Sequence, residues 1–285
     1  MAGRAVVVTD STAVLPPELA AAAGIEIVAL PVTVAGETHV DGEDGATPAD
    51  IVAALTARKP VSTSRPSPTM LLEVYERLAA EGATGILAVH VTGEMSGTVE
   101  SARMAARDAS LEVVTVDTRA VGPCLGLAAQ AGAHALAGGA SLAEAAEAVM
   151  DRANATTSYF YVDTLEFLRR GGRIGAASAL LGSALAVKPL LAVEDGRVVV
   201  REKVRTSARA LARLDDLALE AAKDLDVEVV VAHLEALERA ETLASSLTQR
   251  LGPRLVAPVR IAELGAALGA HVGPGMVAAV VAPAL

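Results

Sequence analysis

The sequence contains no tryptophan, two phenylalanines and three tyrosines. Because so few aromatic rings are present, we expect no stacking surface for nucleic acid bases or sugars, and a core built from Val, Leu, Ile and Ala. The single cysteine, Cys124, excludes an internal disulfide. No cluster of Cys and His has the spacing of zinc ligands, so neither a metal nor a cofactor is predicted.

Positive charge is also scarce, since 24 basic residues face 34 acidic ones and the formal net charge is −10. A nucleic-acid-binding protein would need a basic face, and that class is therefore excluded. No apolar run approaches the roughly 18 residues that a membrane-spanning helix requires. The apolar part of the N-terminus is too short for a signal peptide, so we expect a soluble, cytoplasmic protein.

The 285 residues, 52% of them hydrophobic, are enough for two α/β domains. In the first half, short apolar runs alternate with helical patterns, as in a parallel sheet with helices on both faces. The predicted strands there are Ala5–Val8, Ile25–Val34, Ile86–Val91 and Leu111–Val116.

The second half of the sequence has a different pattern of predicted elements. Two alternating apolar runs flank Asp195-Gly196, which predicts a β-hairpin and hence antiparallel pairing. Asp163 is the expected cap of a short helix, and Ala176–Leu185 is predicted as a small-residue helix. The predicted fold class is α/β with two domains. Residues 1–155 would form a mainly parallel Rossmann-like sheet with flanking helices, and residues 156–285 an α/β domain with a mixed or antiparallel sheet.

The segment from Gly85 to Ala106 carries the first indication of a site. A buried strand passes through the polar loop Thr92–Thr98 into an Ala-rich helix. Free N–H groups at a helix N-terminus bind oxygen anions, and ligands of parallel sheets sit beyond the carboxyl ends of the strands. Ser96 or Thr98 is equally expected as a simple N-cap.

Several other polar residues are candidates for structural or functional roles. Asp10 and Asp117 end strands, where they would orient hydroxyls or cap loops. His90 lies on an apolar strand and is interpreted as a hydrogen-bonded core histidine. Gly171-Gly172 before Arg173 is either a helix C-cap or a close approach of backbone to a ligand.

Two more residues are candidates. Arg205 is, by composition alone, surface charge. His271 lies in GAHVGPG, which predicts an irregular loop where an imidazole could donate to an anion or pass a proton. Neither a P-loop nor a G-x-S-x-G elbow is present. Gly273–Ala278 matches a dinucleotide fingerprint but precedes a strand, so we reject it.

Six segments, in this order along nearly the whole chain, together resemble the DegV family. They are Thr9-Asp10-Ser11-Thr12, Thr63-Ser64-Arg65-Pro66-Ser67, Met95-Ser96-Gly97-Thr98 with Glu100-Ser101-Ala102, Leu165–Leu168 with Gly171–Ile174, Lys188-Pro189-Leu190-Leu191, and His271-Val272-Gly273-Pro274-Gly275. The resemblance implies a two-domain α/β protein that binds one fatty acid. In some members this protein is the acyl-carrying subunit of a fatty acid kinase, whose separate ATP-using subunit phosphorylates the carboxylate.

The resemblance also implies roles for individual residues. Thr63 and Ser96 match positions that hydrogen-bond the carboxylate, and the predicted carboxylate site is Thr63, Arg65, Thr92, Ser96 and Gly97. Arg173, Arg205 and His271 match positions near the head group or facing the kinase. The chain departs from the family pattern with Gly93 where Ser is usual, Arg65 where Gln is usual and Val272 where Thr is common.

We therefore expect a non-catalytic protein that holds a long-chain fatty acid in an apolar tunnel, to which residues 156–285 contribute, and presents it to a kinase. Transient contact with a membrane surface is compatible with this. The alternatives are an autonomous acyl- or phosphoryl-transfer enzyme that uses His271 as acid and base, or a carrier of another small carboxylate or lipid.

Overall fold

The computed structural model describes residues 4–42, 45–180 and 188–284. The chain forms two compact units, one made of Met1–Pro31 with Thr63–Asn154 and the other of Val32–Ser62 with Ala155–Leu285. The first unit differs from the predicted 1–155 range because Val32–Ser62 packs with the C-terminal part of the chain. A boundary read along the sequence cannot show such a return of the chain, since it divides the chain only once.

The strands are β1 (Val6–Asp10), β2 (Ile25–Val28), β3 (Pro31–Val34), β4 (Glu37–Val40), β5 (Val61–Thr63), β6 (Ile86–His90), β7 (Val113–Asp117), β8 (Thr157–Tyr161), β9 (Lys188–Glu194), β10 (Arg197–Val204), β11 (Val227–His233), β12 (Arg260–Glu263) and β13 (Val277–Pro283). The helices are α1 (Pro17–Ala23), α2 (Pro48–Thr56), α3 (Pro68–Ala80), α4 (Thr98–Asp108), α5 (Pro123–Ala137), α6 (Leu142–Ala155), α7 (Glu166–Arg170), α8 (Ser207–Ala222), α9 (Leu237–Leu251) and α10 (Ala266–Val272). Within the described residues, no helix is long and apolar enough to cross a membrane.

The first unit contains a four-stranded sheet in the order β2-β1-β6-β7, with all neighbours parallel. Both faces are covered, because alternate residues of β6 enter different cores. Leu87 and Val89 pack in a cluster with residues of α5 and α6, while Ile86 and Ala88 pack with residues of α3 and α4. The predicted parallel sheet with helices on both faces is therefore confirmed.

Local signals place several helix ends. Pro17 opens α1, and Gly24 ends it in the left-handed region with φ of 64°. Thr47 caps α2 through a reciprocal pair of bonds with Asp50, as its Thr-Pro-x-Asp sequence predicts.

The single strand predicted for Ile25–Val34 is wrong. The structure divides it into β2, at the edge of the parallel sheet, and β3, in the middle of a three-stranded sheet ordered β4-β3-β5. The apolar run is continuous, but Pro31 at the start of β3 has no N–H to donate to a ladder.

The second unit has a six-stranded sheet in the order β10-β9-β8-β13-β11-β12. Every neighbouring pair is antiparallel except β11 and β12, so the predicted mixed sheet is confirmed. The predicted hairpin joins β9 to β10. Asp195 and Gly196 have φ of 49° and 79°, as a two-residue turn with positive φ at both positions requires.

Three local predictions in this unit are wrong. Leu165, not Asp163, is the N-cap residue of α7, because the Asp163 carboxylate is engaged by Tyr161 and Arg239. Gly175–Leu180 is a 3-10 turn rather than an α-helix, and the remainder of the predicted helix lies outside the described residues. His271 lies in the last turn of α10, because the helix continues to Val272 and ends only at Gly273.

Candidate anion site at the edge of the parallel sheet

The polar loops of the first unit meet beyond the carboxyl ends of its parallel strands. Strands β1, β6 and β7 are parallel neighbours, so the loops that follow them leave from the same side. Backbone bonds connect these loops directly: Thr92 donates to the carbonyl of Ala120 at 3.0 Å, and Gly122 donates to that of Thr12 at 2.9 Å. The three loops thus form one hydrogen-bonded rim.

Thr92 is fully buried and shapes the loop that follows β6. Its carbonyl accepts from the N–H groups of Met95 and Ser96, both at 3.1 Å. Its hydroxyl accepts from the N–H of Glu94 at 3.2 Å. These bonds close a tight turn that delivers Ser96 to the start of α4.

Ser96 lies two residues before the start of α4 and accepts a hydrogen bond from the first turn of the helix, although it is not the N-cap residue. The N-cap residue is Gly97, which has no side chain. The Ser96 hydroxyl accepts from the N–H of Thr98 at 3.3 Å and lies 2.8 Å from the Thr98 hydroxyl. The half-buried Ser96 therefore satisfies part of the helix terminus, while the hydroxyl pair stays next to the N–H groups that an oxygen anion would use.

Arg65 lies over this helix start. A Cβ placed on Gly97 would lie 2.6 Å from Nη1 and 2.8 Å from Cδ of Arg65, so a side chain at position 97 would push this arginine away from the helix start. Arg65 thereby adds a positive charge to the positive end of the α4 dipole. Thr63, half-buried at the end of β5, precedes it by two residues, and the N–H of Ser64 is bonded to the carbonyl of Pro31 at 3.0 Å.

The backbone of Gly93 is bonded to the side chain of Asp117. The N–H of Gly93 donates to both carboxylate oxygens of Asp117 at 3.2 Å, and Arg119 donates its N–H to the same carboxylate. A Cβ at Gly93 would lie 2.8 Å from Oδ2 of Asp117 and 3.4 Å from Val99. The absence of a side chain at Gly93 therefore lets Asp117 hold the loop, which confirms that Asp117 caps a loop.

A separate polar group lies in the second unit. Arg173 donates to the carbonyl of Gly171, and burial together with the Arg173 guanidinium lowers the pKa of His271 to about 4. Gly171 is the C-cap residue of α7. It is also in close contact with His271, because a Cβ at this position would overlap Nδ1 of the ring. Arg205 is exposed between β10 and Thr206, the N-cap of α8.

The structure thus brings together subsets of the predicted residues. Thr92, Ser96, Gly97 and Arg65 lie at one loop, and Arg173 lies beside His271. The hydrogen bond between His90 and Asp10 was not predicted, although the expectation that His90 is a bonded core histidine holds for its Nδ1 atom. The register of the folded sheet accounts for this bond, because Val8 pairs with Ala88 and two residues further along the same strands are Asp10 and His90. That register is not readable from the sequence.

The fold defines a class of two-unit α/β proteins, here with a polar strand-to-helix loop that is a candidate anion site, and comparisons with known proteins specify the family. A model described as "Uncharacterised protein, DegV family" matches residues 4–284. The DegV domain-containing protein SCO2569 of Streptomyces coelicolor is 46% identical over 281 residues, covering 99% of both chains. The chain therefore belongs to the DegV family.

Solved structures agree with this membership. A DegV family protein from Thermus thermophilus, described by its fatty acid binding, superposes with a TM-score of 0.91 at 31% identity, covering 99% of this chain and 100% of that one. DegV from Bacillus subtilis, described as a fatty acid binding protein, has a TM-score of 0.89 at 27% identity, with coverage of 99% and 100%.

Proposed function

We propose that this protein binds one long-chain fatty acid, with the carboxylate at the loop between β6 and α4, and presents it to a separate ATP-dependent kinase. The single observation that carries the proposal is the position of Arg65 against Gly97, which puts a cation beside a helix N-terminus and a pair of hydroxyls. The fatty-acid-binding relatives from T. thermophilus and B. subtilis support the choice of ligand.

The energetics favour a ligand with a long apolar tail and one anionic end. Burying about 14 methylenes of a C16 chain contributes roughly 11 kcal/mol, at about 0.8 kcal/mol each, before the costs of ordering. Burying the carboxylate costs several kcal/mol unless it is paired and hydrogen-bonded. Hydroxyls, helix N–H groups and an arginine at one place supply that compensation.

Presentation is favoured over autonomous catalysis for two reasons. The sequence contains neither a P-loop nor a nucleophile elbow. In addition, His271 is neutral at pH 7 because its pKa is lowered to about 4, so it is a weak base for the transfer chemistry of the alternative reading. We assign Arg173, Arg205 and His271 to the head-group or kinase-facing surface.

The proposal is tested first by native mass spectrometry of the purified protein, followed by lipid extraction. We expect one fatty acid per chain. An empty protein that also fails to bind added palmitate would refute the proposal, as would turnover of ATP or an acyl ester by the protein alone.

The head-group assignment is tested with the double variant Thr63→Val and Ser96→Ala. Hydrogen bonds to a charged group each contribute about 1.5–3 kcal/mol, so the loss of two of them should lower palmitate affinity by about a hundredfold or more. Thr242→Val is the matched control, because this exposed hydroxyl bonds to the carbonyl of Glu238 within its own helix, α9. Unchanged affinity in the double variant would place the carboxylate elsewhere.

A further inference from the structure

Asp10, at the carboxyl end of β1, has a carboxylate with four hydrogen bonds. Its side chain is fully buried at the end of β1. Oδ1 accepts from the N–H and the hydroxyl of Thr12, at 3.2 and 2.5 Å. Oδ2 lies 3.0 Å from Nδ1 of His90 and accepts from the N–H of Val91 at 3.1 Å.

These four bonds use the acceptor capacity of a carboxylate, which has about four lone-pair positions. Asp10 consequently has nothing left to offer a ligand, and a negative charge would in any case repel a fatty acid carboxylate. A buried carboxylate is tolerated only when it is well bonded, so the four donors must keep their places. Asp10 can therefore act on a ligand only through the groups that it holds.

One of those groups, the N–H of Val91, belongs to the loop that carries the predicted carboxylate site, and a second, the ring of His90, lies on the strand residue just before that loop. Val91 is the first residue of that loop, and Thr92 follows it. On the other side, the loop is held by β7 and its following loop, through Asp117 and Ala120. Asp10 supplies the connection to β1, so it fixes the loop from the side opposite to Asp117.

His90 extends this connection to the neighbouring strand. Its ring is fully buried, with Nδ1 facing Asp10, while its carbonyl accepts from the hydroxyl of Thr118 at 2.9 Å. Among the described residues, Nε2 of His90 has no hydrogen-bond partner. The bond to Asp10 is thus the polar interaction that sets the position of this ring.

We propose that Asp10, with His90, is the positioning residue for carboxylate recognition: it fixes the start of the loop from Val91 to Gly97, so that hydroxyl and N–H donors match a carboxylate. This inference rests on the proposed fatty acid binding. It predicts that a misplaced loop weakens binding of the acid head group and leaves binding of the apolar tail unchanged. The preference for palmitic acid over hexadecanol measures that effect.

The first variant is Asp10→Asn, whose amide presents one acceptor and one donor to four donors. The preference for palmitic acid over hexadecanol, measured by displacement of a fluorescent fatty acid, should fall by about tenfold, in line with the loss of hydrogen bonds to a charged group. Val149→Ala, in the core cluster on the opposite face of the sheet, is the stability control. It should weaken the fold but leave the preference unchanged.

A matched pair at His90 makes the test independent of whether Asp10→Asn folds. His90→Asn keeps a donor near the position of Nδ1, whereas His90→Leu removes it. We expect His90→Leu to lower the acid preference several-fold and His90→Asn to restore it. Equal preference in the wild type and His90→Leu would overturn the inference, and so would equal preference in the wild type and a folded Asp10→Asn. A wild type that binds neither compound would instead refute the proposed function.

Discussion

Substituting alanine for Gly171 should displace the ring of His271. The new Cβ would overlap Nδ1 and lie 3.0 Å from Cε1 of His271, whereas unstrained carbon contacts are about 3.5–4.0 Å. The backbone of Gly171 is right-handed, with φ of −72°, so the cost comes from crowding and not from the backbone. Overpacking of this kind costs about 1–3 kcal/mol of unfolding free energy.

The same displacement should change the titration of His271. Burial is the main reason that its pKa is about 4, with Arg173 contributing, so a ring pushed outward should titrate closer to the ordinary value of about 6.5. Urea unfolding at pH 7 measures the loss of stability. NMR titration of the imidazole signal, assigned with a His271→Gln variant, measures the pKa.

Gly172→Ala is the matched control one residue along the chain. Its φ is 73° and no atom lies within 4 Å of an added Cβ, so the strain of a left-handed alanine should cost about 1–2 kcal/mol without touching His271. The two variants should therefore lose similar stability, but only Gly171→Ala should raise the pKa. If His271 still titrates at about 4 in Gly171→Ala, the proposed contact does not hold the ring.

Two further predictions concern charge. The stability that neutral His271 contributes is present above pH 6.5 and is lost as the pH falls through about 4, because the unfolded chain takes up the proton first. Between pH 7 and pH 4, the free energy of unfolding measured with urea should fall by up to about 3 kcal/mol more in the wild type than in His271→Gln. An equal fall in both proteins would contradict the buried, neutral histidine. Removing the exposed charge in Arg65→Gln should weaken palmitate binding a few-fold at about 20 mM salt and less at about 300 mM, because salt screens exposed charges. A comparable loss for hexadecanol would show that Arg65 does not act on the carboxylate.

The local parts of the fold could be predicted because neighbouring residues determine them. Pro17 and Gly24 bound α1, Thr47 and Asp50 cap α2, and Asp195-Gly196 turns the hairpin, each through bonds or dihedral preferences within a few residues. The alternation of apolar runs and helical patterns likewise predicts a parallel sheet. One wrong prediction lies where a local pattern has two solutions, in GAHVGPG, whose glycines allowed a loop but whose Ala-rich approach continues as α10. Another, the cap at Asp163, fails because a residue distant in the sequence, Arg239, binds its carboxylate.

The sequence by itself determined the family and the polar loop that begins α4, because the order of short motifs and the strand-to-helix transition are readable along the chain. Only the tertiary structure decided that Arg65 lies on Gly97, that the Asp117 carboxylate bonds to the N–H of Gly93, and that Asp10 bonds to His90. The last two residues are 80 positions apart. Such contacts depend on which strands become neighbours and on the path of the chain between them, and no local preference of either residue contains that information.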